Sequence, residues 1–328
     1  MTPQVTGMPI EPRFHSLHDI VPAALAAEAA AGLREASARI APKFFYDALG
    51  SRLFDAITEL PSYYLTRTER MIFEEHRSAI IDAVIAATGP APVLIDLGAG
   101  NGEKAARWFD TLRPRRYVAV DISVDYLRAA LRALQREHPA IEMIGVGQDF
   151  SAQLRLPADV ATPRSLVFYP GSSIGNFAPD ATLRLLRDMR AAAAGGALLI
   201  GVDLVKPAAL LDAAYDDDLG VTAAFNLNIL LQMNRLLGAD FAPADWRHVA
   251  RFDEPASRVQ MHLEARRDLN VAWNGGERAF RRGERIHTED SFKWTRESFA
   301  ALLRDAGFGR VGHWTDAQGW YAVFVAHA

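Results

Sequence analysis

Residues 93–102 have the sequence VLIDLGAGNG, and this short stretch predicts the architecture around which the chain is built. Its apolar run ending in an acid is typical of a buried parallel strand, and the glycines at 98, 100 and 102 predict a turn into the next helix. Because glycine lacks a Cβ atom, this turn can adopt positive φ and lie close to a bound molecule. Backbone N–H groups from about Glu103 onward would then face an anionic group of that ligand.

Two classes of ligand compete for such a turn, a dinucleotide and S-adenosylmethionine (SAM). The dinucleotide pattern GxGxxG requires its third glycine at position 103, where the chain has Glu103. Asp96 lies two residues before Gly98, at the strand tip, where an acid suits a cationic, hydroxyl-rich cofactor better than a diphosphate. Asp121 ends the next predicted strand, RYVAVDIS, and is spaced to accept hydrogen bonds from both ribose hydroxyls. The combined pattern favours SAM, held by Asp96, Gly98, Gly100 and Asp121.

The composition limits the classes of protein to which the chain can belong. Its 328 residues are 50% hydrophobic, enough for one large domain or two smaller ones. The formal net charge of -4 gives no basic excess for binding nucleic acid or an anionic membrane. There is no cysteine, no HExxH or similar metal-ligand spacing, no apolar run of membrane length and no signal-peptide pattern. We therefore expect a cytoplasmic monomer that acts on a small molecule, with no metal, nucleic-acid or membrane partner.

Predicted strands and helices alternate through the middle of the chain. Strands are predicted at 93–97, 117–121, 141–146, 165–169 and 197–203, with helices at 103–112, 125–137 and 180–193. This order is typical of a doubly wound parallel sheet of the α/β class. A helix over 295–306 and two closing strands, GRVGHWTD and WYAVFVAHA, predict an antiparallel hairpin at the sheet edge. Such a hairpin is typical of methyltransferases and not of dehydrogenases.

The segments outside this alternation predict a second domain made of two pieces. Residues 1–20 show no period and predict an irregular arm, and an alanine-rich helix follows. Pro61 predicts a loop carrying Tyr63 and Tyr64, and half-buried packing is the favoured interpretation of their rings from local sequence alone. A helix is predicted over 70–88. Residues 206–290 predict helices at 207–216 and 221–237 and antiparallel strands near 258–266, 269–274 and 284–289.

The predicted domain boundaries follow from this interruption of the sheet. We predict that residues 1–68 and 204–290 form a substrate-binding domain over the carboxyl ends of the strands, where ligands of open α/β sheets bind. Residues 69–203 and 291–328 form the predicted methyltransferase core.

Several polar and aromatic residues at the predicted strand ends are candidates for ligand contacts. Asp149 and Phe150 follow the third strand, where an acid can accept the adenine amino group and a ring can stack on the base; a turn aspartate is the alternative. Asn176, in FYPGSSIGNF, would face the transferred methyl group unless it only stabilises a left-handed turn. Lys104 could pair with the cofactor carboxylate or be a solvated surface charge. Lysine is scarce, which makes each one noteworthy: Lys43, Lys104, Lys206 and Lys293.

Motifs spread over nearly the whole chain resemble the histidine Nα-methyltransferases of ergothioneine biosynthesis. They are FFYD, GSRLFDAITELPSYY, TRTE, DLGAGNGEKA, FYPGSSIGNF, LLDAAYDD with AFNLNIL, and HTEDSFKW. The resemblance implies a class I SAM-dependent methyltransferase with a Rossmann-like seven-stranded sheet, a closing hairpin and a second, substrate-binding domain. It also implies trimethylation of the α-amino group of L-histidine to hercynine, the first step of ergothioneine biosynthesis.

The resemblance also implies a set of site residues. The substrate-anchoring tyrosines of the family match Tyr46, Tyr63 and Tyr215, and its amino-acid-binding asparagine matches Asn176. Among these, Tyr46 and Asn176 are the expected catalytic groups at the substrate amine. The pair that reads the imidazole matches Glu289 and Ser291, and Met261 matches a side chain packed against the substrate ring. On the cofactor side the matching residues are Gly98, Lys104, Asp121, Asp149 and Phe150.

The chain departs from the family pattern at two positions, and other functions stay open. Leu65 stands where proline is common, and Asp290 stands where asparagine is usual, adding a charge near the expected pocket. An N-methyltransferase of another aromatic amino acid, such as tryptophan or tyrosine, is the main alternative, and a non-catalytic SAM-binding module is another. The TEDS sequence favours histidine, because the acid and the hydroxyl two residues apart suit the two nitrogens of an imidazole.

Overall fold

An eight-stranded sheet forms the centre of the computed structural model, which describes residues 11–17, 22–160 and 162–328. In spatial order its strands are β1 (Arg13–Ser16), β4 (Glu142–Gly147), β3 (Arg116–Asp121), β2 (Val93–Leu97), β5 (Leu166–Tyr169), β6 (Ala197–Asp203), β13 (Tyr321–His327) and β12 (Val311–Thr315). All pairs are parallel except those that β13 makes with β6 and β12. The predicted parallel sheet with a closing antiparallel hairpin is therefore confirmed.

Helices cover both faces of this sheet or belong to the flanking segments. Their bounds are α1 (Pro22–Arg34), α2 (Ala48–Thr58), α3 (Tyr64–Glu75), α4 (Arg77–Thr88), α5 (Glu103–Ala106), α6 (Phe109–Leu112), α7 (Val124–Glu137), α8 (Pro179–Ala193), α9 (Ala208–Tyr215), α10 (Val221–Leu237) and α11 (Arg296–Asp305). None of the helices in this described part of the chain combines the length and apolarity needed to cross a lipid bilayer.

Between β6 and β13 the chain builds two further sheets. One is antiparallel with the order β11 (Arg285–Phe292), β8 (Arg258–Ala265), β7 (Trp246–Asp253), and the other is the hairpin β9 (Leu269–Trp273) and β10 (Gly276–Phe280). The predicted strands near 258–266, 269–274 and 284–289 correspond to β8, β9 and β11, whereas β7 and β10 were not predicted. The chain leaves the central sheet and returns side by side, because Leu204 and Trp294 form a parallel bridge.

The alternation of side chains along the strands produces two apolar cores, one on each face of the sheet. Leu94 belongs to one core and its neighbour Ile95 to the other, which is the pattern expected of a parallel strand buried on both sides. The core containing Leu94 continues into Phe45, Phe225 and Met261 of the flanking segments. These segments therefore pack directly onto one face of the sheet. The domain boundaries at 68, 203 and 290 stay predictions.

Four local predictions were wrong, and the first is the single helix expected over 103–112, where the structure has the two short helices α5 and α6. Residues 13–16 of the expected irregular arm form β1, an eighth strand, because Phe14 packs where Gly145 of β4 leaves room and Arg13 pairs with Glu142. The rest of that arm lies outside the described residues, except residues 11, 12 and 17. The helix predicted over 70–88 starts earlier, at Tyr64, and is interrupted at His76. Tyr64 therefore begins a helix and does not lie on a loop.

Candidate active site

A cleft with an empty volume of about 530 Å³, including the part open to solvent, lies at the carboxyl ends of the strands. Its walls come from the loop after β5, from the segments around α2 and α3, from α9 and α10, and from β8 and β11. All seven side chains predicted to contact the substrate line it: Tyr46, Tyr63, Asn176, Tyr215, Met261, Glu289 and Ser291. The fold thus brings together residues up to 245 positions apart in sequence, from Tyr46 to Ser291.

Glu289 is a buried acid without a protein partner. Its side chain lines the cleft, the residue is 8% exposed, and no described residue forms a hydrogen bond or ion pair with its carboxylate. Burial raises the pKa of Glu289 to about 7, although the nearby ammonium of Lys293 acts in the opposite direction. A buried carboxylate without a partner is unfavourable for folding, so its presence in a cleft indicates a ligand that donates to it.

Ser291 and Tyr215 form a hydroxyl pair beside Glu289. Their oxygens are 2.8 Å apart, and the ammonium of Lys293 donates to both, at 2.9 Å each. Tyr215 comes from the end of α9 and Ser291 from β11, so the pair connects two elements of the inserted region. Lys293 was not assigned a role from the sequence, and the scarcity of lysine was the signal that pointed to it.

Tyr46, Tyr63 and Asn176 place uncommitted polar groups in the cleft. Within the described residues, neither tyrosine hydroxyl nor the Asn176 carboxamide has a hydrogen-bond partner, so all three are free to bind a ligand. Asn176 ends a short 3-10 helix over Ser173–Asn176. The alternative of a left-handed turn asparagine is wrong, because the residue with positive φ in this loop, apart from glycine, is Ser172.

Aromatic rings surround these polar groups. The ring centroid of Phe54 lies 5.8 Å from that of Tyr46 and 6.3 Å from that of Tyr63, and Tyr63 lies 6.4 Å from Tyr215. Phe225 adds a further ring 5.9 Å from Tyr46. Faces of aromatic rings attract ammonium groups, including methylated ones.

The glycine-rich turn has the geometry expected of a ligand-binding loop. Gly98, Gly100 and Gly102 have φ values of 67°, 55° and 74°. A Cβ atom added at Gly98 or Gly100 would meet no atom within 4 Å, whereas one at Gly102 would collide with Leu134 and approach the Tyr117 hydroxyl. The first two glycines therefore border open space, and the third is needed for packing.

Two acids support this turn. Asp121 accepts hydrogen bonds from the backbone N–H groups of Gly100, at 2.9 Å, and Ser123, at 2.8 Å. Asp96 is 2% exposed and accepts the hydroxyl proton of Tyr117 at 2.8 Å. Burial raises the pKa of Asp96 to about 7, against the effect of that hydrogen bond. Asp96 thus lies beneath the turn, while Asp121 holds it from the next strand.

The other predicted cofactor residues already have protein partners. Lys104 pairs at 3.1 Å with the buried carboxylate of Glu69, which also accepts from the Gly171 N–H and the Tyr321 hydroxyl. Lys104 is therefore more than a solvated surface charge, although its side chain is 43% exposed.

Asp149 pairs with Lys43 at 2.8 Å, and this ammonium holds the pKa of Asp149 below its ordinary value in spite of burial. Asp149 also accepts a hydrogen bond from the Ser151 N–H at 3.0 Å, so it stabilises the local turn as well, which was the alternative interpretation of this residue. Phe150 packs edge-on against Tyr169, with centroids 6.0 Å apart. Glu69 was missed from the sequence, and Lys43 was indicated only by the scarcity of lysine.

Asp290 does not line the cleft. Its carboxylate binds Gln260 at 3.0 Å, His287 at 3.2 Å and Arg258 at 3.2 Å. Leu65 does line the cleft, as the second residue of α3. No group of three or more His, Asp or Glu side chains in the described ranges could hold a metal ion.

Comparison with known proteins yields one family and several similar sequences. The model of the family described as "Histidine-specific methyltransferase, SAM-dependent" matches residues 25–328. The histidine N-alpha-methyltransferase of Mycolicibacterium smegmatis is 41% identical over 92% of this chain and 94% of its own, and that of Mycobacterium tuberculosis is 38% identical over the same shares. Ergothioneine biosynthesis protein 1 of Neurospora crassa is 30% identical over 82% of this chain and 31% of its own.

Proposed function

The chain belongs to the family of SAM-dependent, histidine-specific methyltransferases, and on this premise we propose that it trimethylates the α-amino group of L-histidine. The product would be hercynine, and the reaction would be the first step of ergothioneine biosynthesis. The observation that carries this proposal is the environment of Glu289. A buried, unpartnered carboxylate beside a hydroxyl pair matches the two ring nitrogens of a neutral imidazole, one of which donates a hydrogen bond while the other accepts one.

We assign the imidazole to the end of the cleft formed by Glu289, Ser291 and Met261. Glu289 accepts a hydrogen bond from the ring N–H, and the Ser291–Tyr215 hydroxyl pair forms a hydrogen bond with the other nitrogen. Met261 lies opposite Glu289 in the strand ladder, where its thioether packs against the ring. A site built for these bonds disfavours tryptophan and tyrosine, because a ring without the matching groups leaves buried polar atoms unpaired.

We assign the amino-acid end to Tyr46, Tyr63 and Asn176, whose polar groups are uncommitted in the structure. These hydroxyl and amide groups can hold the substrate carboxylate and accept from its neutral amine. Burial of the amine between the rings of Phe54 and Phe225 removes it from water, and this loss of hydration lowers the pKa of the ammonium and helps the nitrogen lose its proton before transfer, against the attraction of the ring faces for the cation. The same rings can surround the nitrogen as it gains methyl groups and becomes permanently cationic.

The cofactor side of the proposal rests on the glycine turn and its neighbours. The open space at Gly98 and Gly100 fits a nucleoside lying against bare backbone, and Asp121 is at the adjacent strand tip for ribose hydroxyls. Lys104 would bind the amino-acid carboxylate of SAM. Asp149 and Phe150 would contact the adenine, and Asp96 would support the turn from below. Bound SAM supplies an electrophilic methyl group on a sulfonium.

Positioning supplies much of the rate in such a transfer. Nitrogen and methyl carbon have to be aligned at roughly 3 Å, and effective molarities of well-oriented groups are very large. Asn176 and Tyr46 are therefore proposed to orient the nitrogen lone pair, without acting as strong acids or bases. We also propose that residues 1–68 and 204–290 form the substrate-binding domain and that the enzyme is a cytoplasmic monomer.

Mass spectrometry of reactions containing the protein, SAM and one amino acid tests the proposal. L-Histidine should gain three methyl groups on its α-nitrogen, located by fragmentation, while tryptophan and tyrosine remain unmodified. Preferential methylation of tryptophan or tyrosine would establish the alternative substrate class. Binding of SAM without methylation of any of the three would favour a non-catalytic module.

A further inference from the structure

A buried cluster of charged residues lies directly behind the imidazole end of the cleft. Its charged members are Asp203, at 0% exposure, Lys293, at 3%, and Lys206, at 7%. They meet where the chain leaves the central sheet after β6 and returns to it after β11. The sequence motifs that resemble the histidine methyltransferases assigned no role to any of the three.

The two lysines both pair with Asp203 but donate their other hydrogen bonds to different residues. Lys206 donates to Asp203 Oδ1 at 2.6 Å, to the Tyr64 hydroxyl at 2.7 Å and to the Leu204 carbonyl. Lys293 lies 2.8 Å from Asp203 Oδ2 and donates to the hydroxyls of Tyr215 and Ser291 at 2.9 Å each. Each ammonium therefore has acceptors for all three of its protons. Only the neighbours of Lys293 line the cleft.

The N–H donors of Lys293 determine where the hydroxyl protons of Tyr215 and Ser291 can point. An ammonium has no acceptor lone pair, so the oxygens of Tyr215 and Ser291 must both accept from Lys293. The pair has two protons of its own, and one of them forms the 2.8 Å hydrogen bond between the two oxygens. No other described group accepts from either hydroxyl, so the second proton is directed into the cleft whichever residue carries it.

We propose that Lys293 is a positioning residue that makes the Tyr215–Ser291 pair a hydrogen-bond donor toward the substrate ring, and thereby selects rings with an acceptor nitrogen at that place. This inference rests on the proposed function, since it concerns how the same cleft reads its substrate. Glu289 requires an N–H, and the pair fixed by Lys293 requires a lone pair. Together they select one tautomer of a neutral imidazole.

The charges of the cluster agree with this role. Two ammonium groups share the carboxylate of Asp203, the buried carboxylate of Asp316 also acts on Lys206, and burial lowers the pKa of Lys206 to about 8. The Lys293 ammonium also acts on Glu289, where it opposes the effect of burial on the pKa of that acid. Lys293 therefore supports the acceptor at one ring nitrogen and the donor at the other.

Lys293→Met and its matched control Lys206→Met test the proposal. Both replacements remove a buried ammonium from the same aspartate, but only the first removes the donor to the hydroxyl pair. The probes are thiazolylalanine, whose ring has an acceptor nitrogen and no N–H, and pyrrolylalanine, whose ring has an N–H and no acceptor. For each probe, the positional isomer that binds the wild type more tightly is used throughout. Calorimetry with S-adenosylhomocysteine present gives the ratio of their two dissociation constants.

Each probe meets one of the two requirements, thiazolylalanine that of the hydroxyl pair and pyrrolylalanine that of Glu289, so the wild-type ratio is the reference, and Lys206→Met should keep it within about threefold. In Lys293→Met the hydroxyl protons can turn away from the cleft, which relieves the mismatch with pyrrolylalanine, so the ratio should shift toward pyrrolylalanine by about tenfold relative to the wild type. Thermal unfolding checks that each variant is folded. A folded Lys293→Met that keeps the wild-type ratio overturns the proposal, as does an equal shift of the ratio in Lys206→Met.

Tyr215→Phe keeps the proposal testable if Lys293→Met does not fold. With the tyrosine hydroxyl removed, Ser291 still accepts from Lys293 and must direct its proton into the cleft, so the ratio of the two dissociation constants should stay near that of the wild type. A shift toward pyrrolylalanine as large as that expected for Lys293→Met overturns the role of Lys293. Failure of the wild type to methylate histidine would instead contradict the proposed function, which separates the two conclusions.

Discussion

Glu289 and Met261 are direct partners across the antiparallel ladder between β11 and β8, and both line the cleft. They meet because the register shifts between His287 and Glu289, which leaves Thr288 without a partner in the ladder. An unbroken ladder would pair Thr288 with Met261 and turn Glu289 toward the opposite face. The irregularity therefore aims an acid into the cleft, a use typical of β-bulges beside active sites.

Glu289→Ala should lose most of the affinity for histidine. Removal of a charged acceptor from a buried site costs about 1.5–3 kcal/mol, or roughly 10- to 100-fold in dissociation constant. The vacated volume should also let tryptophan bind better than it binds to the wild type. Asp290→Ala is the matched control, because this neighbouring acid faces away from the cleft and should retain histidine binding. Calorimetry showing unchanged histidine affinity in Glu289→Ala would remove Glu289 from the site.

Glu289→Gln should stabilise the ligand-free protein at high pH. The pKa of Glu289 is about 7 in the folded protein, against 4.5 for the ordinary group, so the folded state holds its proton more tightly than the unfolded state. Wild-type stability therefore falls as pH rises from about 4.5 to 7, by an amount on the order of 3 kcal/mol. The variant lacks this loss, so its advantage should be full above pH 7 and absent below about pH 4.5.

Urea unfolding of both proteins across this pH range measures the effect. Asp290→Asn should change the pH dependence of stability in the opposite direction, because ion pairing with His287 and Arg258 holds the pKa of Asp290 below its ordinary value in spite of burial. That acid contributes stability above its unfolded pKa, so Asp290→Asn should be destabilised at neutral and higher pH. Equal stability of Glu289→Gln and wild type at pH 8 would mean that the carboxylate is solvated or paired in solution.

The sheet was predictable from sequence because its signals are local. The apolar run before Gly98 and the acid at 121 mark strand, turn and next strand within 30 residues, and the structure confirms their order. Strand β1 was missed because residues 13–16 are extended only through pairing with β4, some 130 residues away. Such a pairing depends on the space left by Gly145 and leaves no periodic signal in the arm itself.

The site was predictable only in part. Local motifs indicated the cofactor turn, but Glu289, Ser291 and Met261 came from the family resemblance, since no spacing rule reveals a shift in strand register. The Asp203–Lys293 contact joins residues 90 positions apart in sequence, so only the scarcity of lysine pointed toward it. The partners of Lys104 and Asp149, Glu69 and Lys43, were hidden for the same reason.

Asp121→Ala should weaken cofactor binding with little loss of fold. Asp121 accepts the Gly100 N–H of the glycine turn and the Ser123 N–H that follows its own strand, and it is the acid proposed to bind the ribose, so its removal affects both the shape and the chemistry of that site. We expect S-adenosylhomocysteine to bind at least about tenfold more weakly. Asp125→Ala removes an exposed acid from the first turn of α7 and should bind like the wild type. Unchanged affinity in Asp121→Ala would contradict the assignment of this strand tip to the ribose.

Gly98→Ala separates backbone strain from occupation of the ligand space. An L-residue in the left-handed region costs roughly 1–2 kcal/mol, and Gly98 has a φ of 67°. Gly195 also has a positive φ, 81°, and open space at its Cβ position, but it precedes β6 at the opposite edge of the sheet. Gly98→Ala and Gly195→Ala should therefore lower the melting temperature by similar amounts. Only Gly98→Ala should also lose affinity for S-adenosylhomocysteine, by about tenfold or more, because its methyl group occupies the space proposed for the nucleoside. Equal affinities in the two variants, measured by calorimetry on folded protein, would show that the ligand does not lie against Gly98.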